Sequence, residues 1–466
     1  MTRTPDLLIT NACVLTMDAD RRILWPGWIA IAGGRISEVG AGAAPDGMDT
    51  GRVIDADGGV VHPGLIDAHA HVAWGIARCF VPERFTEDEV FWRFDAPMLA
   101  TVTDEEEHLG TRLACLEMAL NGTTCFADTG SASRELSATA EAVEAVGIRG
   151  MIALLNGDAF DGVPELSMPT DTCVDRIERS LSAFPLGAGR AWACPGLVGM
   201  ETSSDELVAA ASELAARAGV PLNVHKSFSP GEVHLCRERL GGRDPIDGYR
   251  DLGVLDRPLT LVHMNLTSDH EVGVLADARP GIVHCPSASM MYAIGGSRTG
   301  RFPELVSAGV PVALGTDSTQ WQNSWDLHRA VYLAATVHKE ARGEEQPAID
   351  AESALEMATL GGAAAVGRLH ELGSIEPGKL ADLVLHGRDR PEAHPAVDPV
   401  GSLVFSSGSR TVRTVLVEGE PIVVDGRSTR IDHETLYADV DRAGRGLLTR
   451  LDYRPGGRWP VFTGQA

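Results

Sequence analysis

The sequence predicts an α/β protein: a (β/α)8 barrel of the TIM type, carrying a small β-sandwich built from both ends of the chain. Eight short apolar runs recur along the middle of the chain, separated by helix-length amphipathic segments, the alternation a parallel sheet requires. Eight strands over roughly 300 residues fit a closed barrel better than an open sheet. Both ends are instead rich in short strands and turns. The expected division gives residues 1–60 and 375–466 to the sandwich and residues 61–374 to the barrel.

The elements follow in order. Leu7–Ile9, Trp28–Ile31 and Arg35–Val39 read as strands, and Gly33-Gly34 between the last two is a hairpin signal. The barrel runs are the one leading into His69, then Thr123–Ala127, Gly150–Leu155, Ala191–Ala193, Leu222–His225, Leu259–His263, Ile282–Cys285 and Val312–Leu314. Glu105–Leu120, Ser204–Arg217 and Trp325–Ala341 carry helical periodicity, with Ser204 placed as an N-cap. Strands return at Ala381–Leu385, Thr411–Val417 and Gly419–Gly426.

The totals narrow the function. A chain of 466 residues can bury a large core. A net charge of −25 argues against nucleic acid or an anionic membrane as partner, since either would be repelled. No run approaches the ~18 apolar residues of a spanning helix, and the first residues lack the layout of a secretory signal. Eight cysteines, from Cys13 to Cys285 with no CxxC pair, read as reduced thiols of a cytoplasmic protein.

The chemistry is concentrated at strand ends. In Pro63-Gly64-Leu65-Ile66-Asp67-Ala68-His69-Ala70-His71 the two histidines stand two apart and share one strand face. His225, His263 and Asp317 close the fifth, sixth and eighth runs. Active-site residues of such barrels gather at the C-terminal ends of their strands. Five polar groups placed there are not explained as core histidines; together they suit one metal ion.

These motifs carry a resemblance. The Pro63–His71 segment, Asn121-Gly122-Thr123-Thr124, His263-Met264-Asn265-Leu266-Thr267, His284-Cys285-Pro286-Ser287, Gly315-Thr316-Asp317 and the tail Gly373–Leu383 resemble the amidohydrolase superfamily. The nearest branch holds the chlorohydrolases, aminohydrolases and deaminases of triazines and other small nitrogen compounds. The resemblance implies His69, His71, His225 and Asp317 as metal ligands, with His263 beside the metal as a catalytic residue and Asp317 also moving protons. It implies one divalent ion, zinc first, with cobalt, iron or manganese able to replace it. It implies a small-molecule substrate and a homo-oligomer, dimer or tetramer. The fourth strand has no lysine that could be carbamylated to bridge two metals.

The chain also departs from that pattern. Deaminases of this branch carry HxxE at the fifth strand, whereas here the segment is His225-Lys226-Ser227-Phe228. The stretch Pro195–Met200 also lacks the histidine those enzymes use on substrate. The expectation is therefore cleavage of a carbonyl C–N or C–S bond in a small apolar molecule, with phenylurea and molinate (thiocarbamate) hydrolases as functional company. The alternative is deamination or dechlorination of an N-heterocycle through a proton relay built from other residues, Glu232 among them. A non-catalytic scaffold would be expected to lose ligands that this chain keeps. Six aromatic residues lie between Trp74 and Phe94. Trp74, Phe228 and Trp321 are the expected substrate contacts. Lys226 is expected to face away from His225 by strand alternation. His284 is open between pocket and core, and His62, His108, His234 and His328 read as ordinary structural or surface histidines.

Overall fold

The computed structural model describes residues 4–48, 50–130, 135–159, 167–199, 202–343, 349–456 and 459. Its centre is two arcs of parallel strands. Leu65–Ala70, Thr123–Asp128, Arg149–Ile152 and Ala191–Ala193 pair in that order, and so do Gly196–Leu197, Leu222–Lys226, Leu259–His263, Gly281–His284 and Val312–Leu314. Pro195 accounts for the break between arcs, because it has no N–H to give a ladder. The fourth strand passes from one arc to the other at that residue: Cys194 N–H donates back to Ile152 O at 3.0 Å, and Asn223 N–H donates to Pro195 O at 3.0 Å. On the far side a parallel bridge joins Ala70 to Asp317, whose N–H donates to His69 O at 2.9 Å. Eight strand positions thus follow one another round a ring, at the places the apolar runs mark.

The strands are buried along nearly their whole length, which is why they read as apolar runs rather than alternating ones. Ala68, Val262, Val283 and Ala313 pack together inside the ring. The helices start where their caps dictate. Thr103 and Glu106 form a reciprocal capping box on Asp104–Leu120, and Ser204 accepts from Leu207 N–H at the head of Asp205–Ala218. The helix expected from Trp325 begins at Leu327, because Asp326 is its cap and accepts from His328 N–H.

The strands of the two termini form a single nine-stranded sheet. Val60–Pro63 pairs on one side with Leu7–Leu15 and on the other with Leu383–His386, which interleaves the two ends of the chain. Gly33 and Gly34 turn the hairpin with φ of 58° and 76°, as a two-residue turn of this kind requires. The C-terminal part is not all strand: His433–Arg450 is a helix. Its Leu436 packs with Val415 and Ile422 of the sheet, and its Leu447 with Trp74 and Ile76 of the barrel. Residues 460–466 of the expected sandwich segment lie outside the described residues.

A buried ion pair locks sheet to barrel. Arg149, on the third barrel strand, donates to Asp382 at 2.6 and 3.2 Å, with Glu418 at 3.2 Å. All eight cysteines are free, and only Cys79 is exposed.

Candidate active site

The first strand delivers His69 and, one step past its end, His71. The fifth delivers His225 and the sixth His263, while Asp317 follows the eighth. The structure brings all five together. His71 Nε2 lies 3.3 Å from His225 Nε2, and Asp317 Oδ1 lies 3.6 Å from His69 Nε2 and 3.9 Å from His71 Nε2. The His263 ring is 5.2 Å from those of His69 and His225.

The outer nitrogens are held. His69 Nδ1 contacts Thr129 Oγ1, and His71 Nδ1–H donates to Gly130 O at 3.3 Å. Such contacts leave each Nε2 lone pair aimed at the centre, where His69 Nε2 is buried with no hydrogen-bond partner. Burial holds all four imidazoles below their ordinary pKa, and neighbouring imidazoles push His69, His225 and His263 the same way. They are neutral, the form that ligates metal. The backbone at the strand ends is strained to aim them: Ser227, His263 and Asp317 have φ of 51°, 79° and 67°. Trp325 steadies Asp317 by donating its indole N–H to the Asp317 carbonyl at 3.2 Å.

Asp67 is legible in the motif, although strand-end reasoning does not single it out. It sits two residues before His69 on the same face, accepts from His69 N–H at 3.3 Å and Thr316 N–H at 3.0 Å, and takes the Thr316 hydroxyl. It thereby ties the first strand to the eighth beneath the site. Burial pushes its carboxyl up to about 7. Cys285 also approaches His69 and Asp317, but burial drives its thiol well above its ordinary pKa, so it fills space as a neutral group.

Above the cluster opens a cavity of about 430 Å³. Trp74, Phe228 and Trp321 all line it. The Phe228 ring stands 4.5 Å from His263 and 5.4 Å from Trp321. The aromatic segment divides: Phe91 and Trp92 join Trp74 on the cavity wall, whereas Phe85 and Phe94 pack into the cluster beneath.

Glu232 does not replace the missing glutamate. Its two carboxylate oxygens accept from Ser227 N–H at 2.8 Å and Phe228 N–H at 2.6 Å, so it fixes the loop that carries Phe228. Lys226 faces away from His225, as alternation requires, but it is wholly buried among Cys236, Glu232 and Tyr249 rather than at the surface. His284 belongs to the core, its ring stacked 3.8 Å from Phe302. Met200, part of the stretch expected to lack a substrate histidine, lies outside the described residues.

Two further acids reach the cavity. Glu87 and Asp95, both after the first strand, line it. Burial pushes the Glu87 carboxyl up to about 7. It drives that of Asp95, which accepts from Gln320 Nε2 at 3.4 Å, well above the carboxylate range. In the sequence that segment stands out for its aromatics alone. Glu87 begins the short helix Glu87–Val90 and Asp95 ends the helical turn Phe91–Asp95; their spacing gives no signal, although an acid amid an aromatic run is a hint.

The amidohydrolase family model matches residues 60–422. Over 429 residues the chain is 32% identical to the 5-methylthioadenosine/S-adenosylhomocysteine deaminase of Moorella thermoacetica, covering 90% of this chain and 95% of that protein. It is 32% identical over 456 residues to the 5'-deoxyadenosine deaminase of Methanosarcina mazei, covering 96% and 99%. Among solved structures, the zinc complex of the Arthrobacter aurescens atrazine chlorohydrolase superposes with a TM-score of 0.84 at 26% identity, over 94% of this chain and 100% of that one. These relatives overturn the expected kinship with molinate and phenylurea hydrolases. That expectation rests on the absence of the fifth-strand glutamate and of a histidine in Pro195–Met200, yet Glu87 and Asp95 also line the cavity. The chain belongs to the amidohydrolase family and is a metal-dependent hydrolytic enzyme.

Proposed function

We propose that the enzyme hydrolytically deaminates an amino-substituted N-heterocycle, with adenine nucleosides altered at the 5' position as the first substrates to try. The observation that carries this reading is the full-length likeness to deaminases of that class. The cavity supports it, because aromatic walls suit a flat heterocycle and buried acids can protonate a ring nitrogen.

In this reading His69, His71, His225 and Asp317 hold one divalent ion, zinc first. Converging neutral imidazoles and a carboxylate suit it, and the unpartnered His69 Nε2 points where it would sit. When bound, such an ion lowers the pKa of water from ~15.7 towards ~7. The protein's own groups do the rest. Asp317 accepts the proton of the attacking water and passes it to the departing amine. His263 hydrogen-bonds to the oxygen newly attached to the ring. Asp95, whose burial favours the protonated form, protonates the ring nitrogen, and Phe228 and Trp321 hold the ring plane. As the C–N bond breaks and ammonia leaves, the new hydroxyl becomes the ring carbonyl and its proton restores the Asp95 carboxyl.

The test is a screen of adenine nucleosides and amino-triazines against ureas and thiocarbamates. Ammonia release from the first group is expected; cleavage of the second alone would overturn the reading. Asp95→Asn should lower kcat about 10²–10⁴-fold, as expected for loss of a general acid. The pH profile separates the two acids. With Glu87 as donor kcat falls as pH rises through about 7 and Glu87→Gln removes that limb, whereas with Asp95 as donor Glu87→Gln leaves the profile unchanged.

A further inference from the structure

We propose that His62, His328 and His386 form a second, closed metal site that clasps the nine-stranded sheet to the barrel and takes a divalent transition-metal ion such as zinc. His62 and His386 stand 324 residues apart in the sequence, with His328 between them, yet one ring nitrogen from each lies within 4.8 Å of the others. His62 comes from Val60–Pro63, His386 from Leu383–His386, and His328 from the first turn of Leu327–Arg342. All three are buried.

Their outer contacts set the tautomers. His62 Nδ1 faces the Pro63 carbonyl at 2.6 Å and so must carry a proton to donate. His386 Nδ1 stands 2.8 Å from Thr411 Oγ1, whose hydroxyl donates to Gly408 O at 3.4 Å, so Oγ1 accepts from Nδ1–H. In the neutral rings both Nε2 atoms are then lone pairs, and they face each other at 2.9 Å. Two lone pairs at that separation repel, and a cation bound to both removes the repulsion. Tetrahedral zinc with bonds of about 2.0–2.1 Å spaces its nitrogens about 3.3–3.4 Å apart, a few tenths wider than here.

His328 supplies the independent observation. Neither of its ring nitrogens has a hydrogen-bond partner among the described residues. A buried imidazole so placed, beside two converging lone pairs, is a ligand set without its ion. Asp326 caps the same helix, accepting from His328 N–H at 3.1 Å and from the Ser409 hydroxyl at 2.6 Å, which fixes the turn that carries His328. The competing arrangement turns the Thr411 hydroxyl towards His386 and makes the Nε2 pair a simple hydrogen bond. It leaves His328 unexplained.

The test counts metal in the zinc-loaded full chain. About two ions per chain are expected in the wild type and about one in His328→Phe. That variant should keep its turnover within about twofold and melt at a lower temperature than the wild type. His69→Ala should also hold about one ion, with turnover lost. One ion per chain in the wild type, removed wholly by His69→Ala, would overturn the site, as would unchanged metal content in His328→Phe. Should that variant not fold, anomalous scattering from wild-type crystals decides: a second peak bonded to His62, His328 and His386 supports the site, and a single peak at the barrel mouth overturns it.

Discussion

The barrel mouth and the seam between barrel and sheet each gather buried histidines, but they are built for opposite ends. At the mouth, His69, His71, His225 and His263 stand with Asp317 beneath a cavity of about 430 Å³, so one side stays open to a reactant. At the seam, His62, His328 and His386 are enclosed by two strands and a helix, without a carboxylate in direct contact among the described residues. Access to a reactant is what separates the two: the mouth cluster faces the cavity, while the seam cluster is enclosed. The same side chain serves chemistry in one place and cohesion in the other, and surroundings rather than residue type decide which.

That contrast can be broken from either side. The largest effect belongs to the mouth. His69→Ala should cost at least about 10³-fold in kcat/KM, since without the ion the pKa of water returns towards ~15.7, while the seam ion and its share of the stability remain. Asp67→Asn comes next. It should lower metal affinity or kcat/KM by about 10–100-fold, the usual cost of removing a group that orients ligands, and titration with metal measures it. At the seam the sign reverses. Arg149→Met leaves Asp382 buried without its cation and should cost about 3–5 kcal/mol of stability, with turnover at low temperature nearly unchanged. Denaturant unfolding checks it. A seam substitution that abolished turnover in a folded protein would erase the distinction.

The two clusters also differ in how far the sequence discloses them. The mouth is legible because each of its residues ends an apolar strand, and a barrel places strand ends together. Period-two alternation pairs His69 with His71, and it turns Lys226 away correctly. The seam is not legible: His62, His328 and His386 share no spacing, and only the pairing of Val60–Pro63 with Leu383–His386 brings two of them side by side. The substrate side fails for a related reason. The lack of a glutamate at residue 228 does not mean the absence of any acid, because Glu87 and Asp95 arrive from a segment whose path no periodicity specifies. The hairpin at Gly33-Gly34 is local chemistry and forms as expected.

The most direct test of the account follows the reaction of a 5'-modified adenine nucleoside in heavy-oxygen water, with metal-replete and chelated enzyme side by side. The account predicts one ammonia released per nucleoside, one solvent oxygen in the ring product, and loss of both on chelation and in His69→Ala. Turnover that survives chelation, or a product carrying no solvent oxygen, would contradict it.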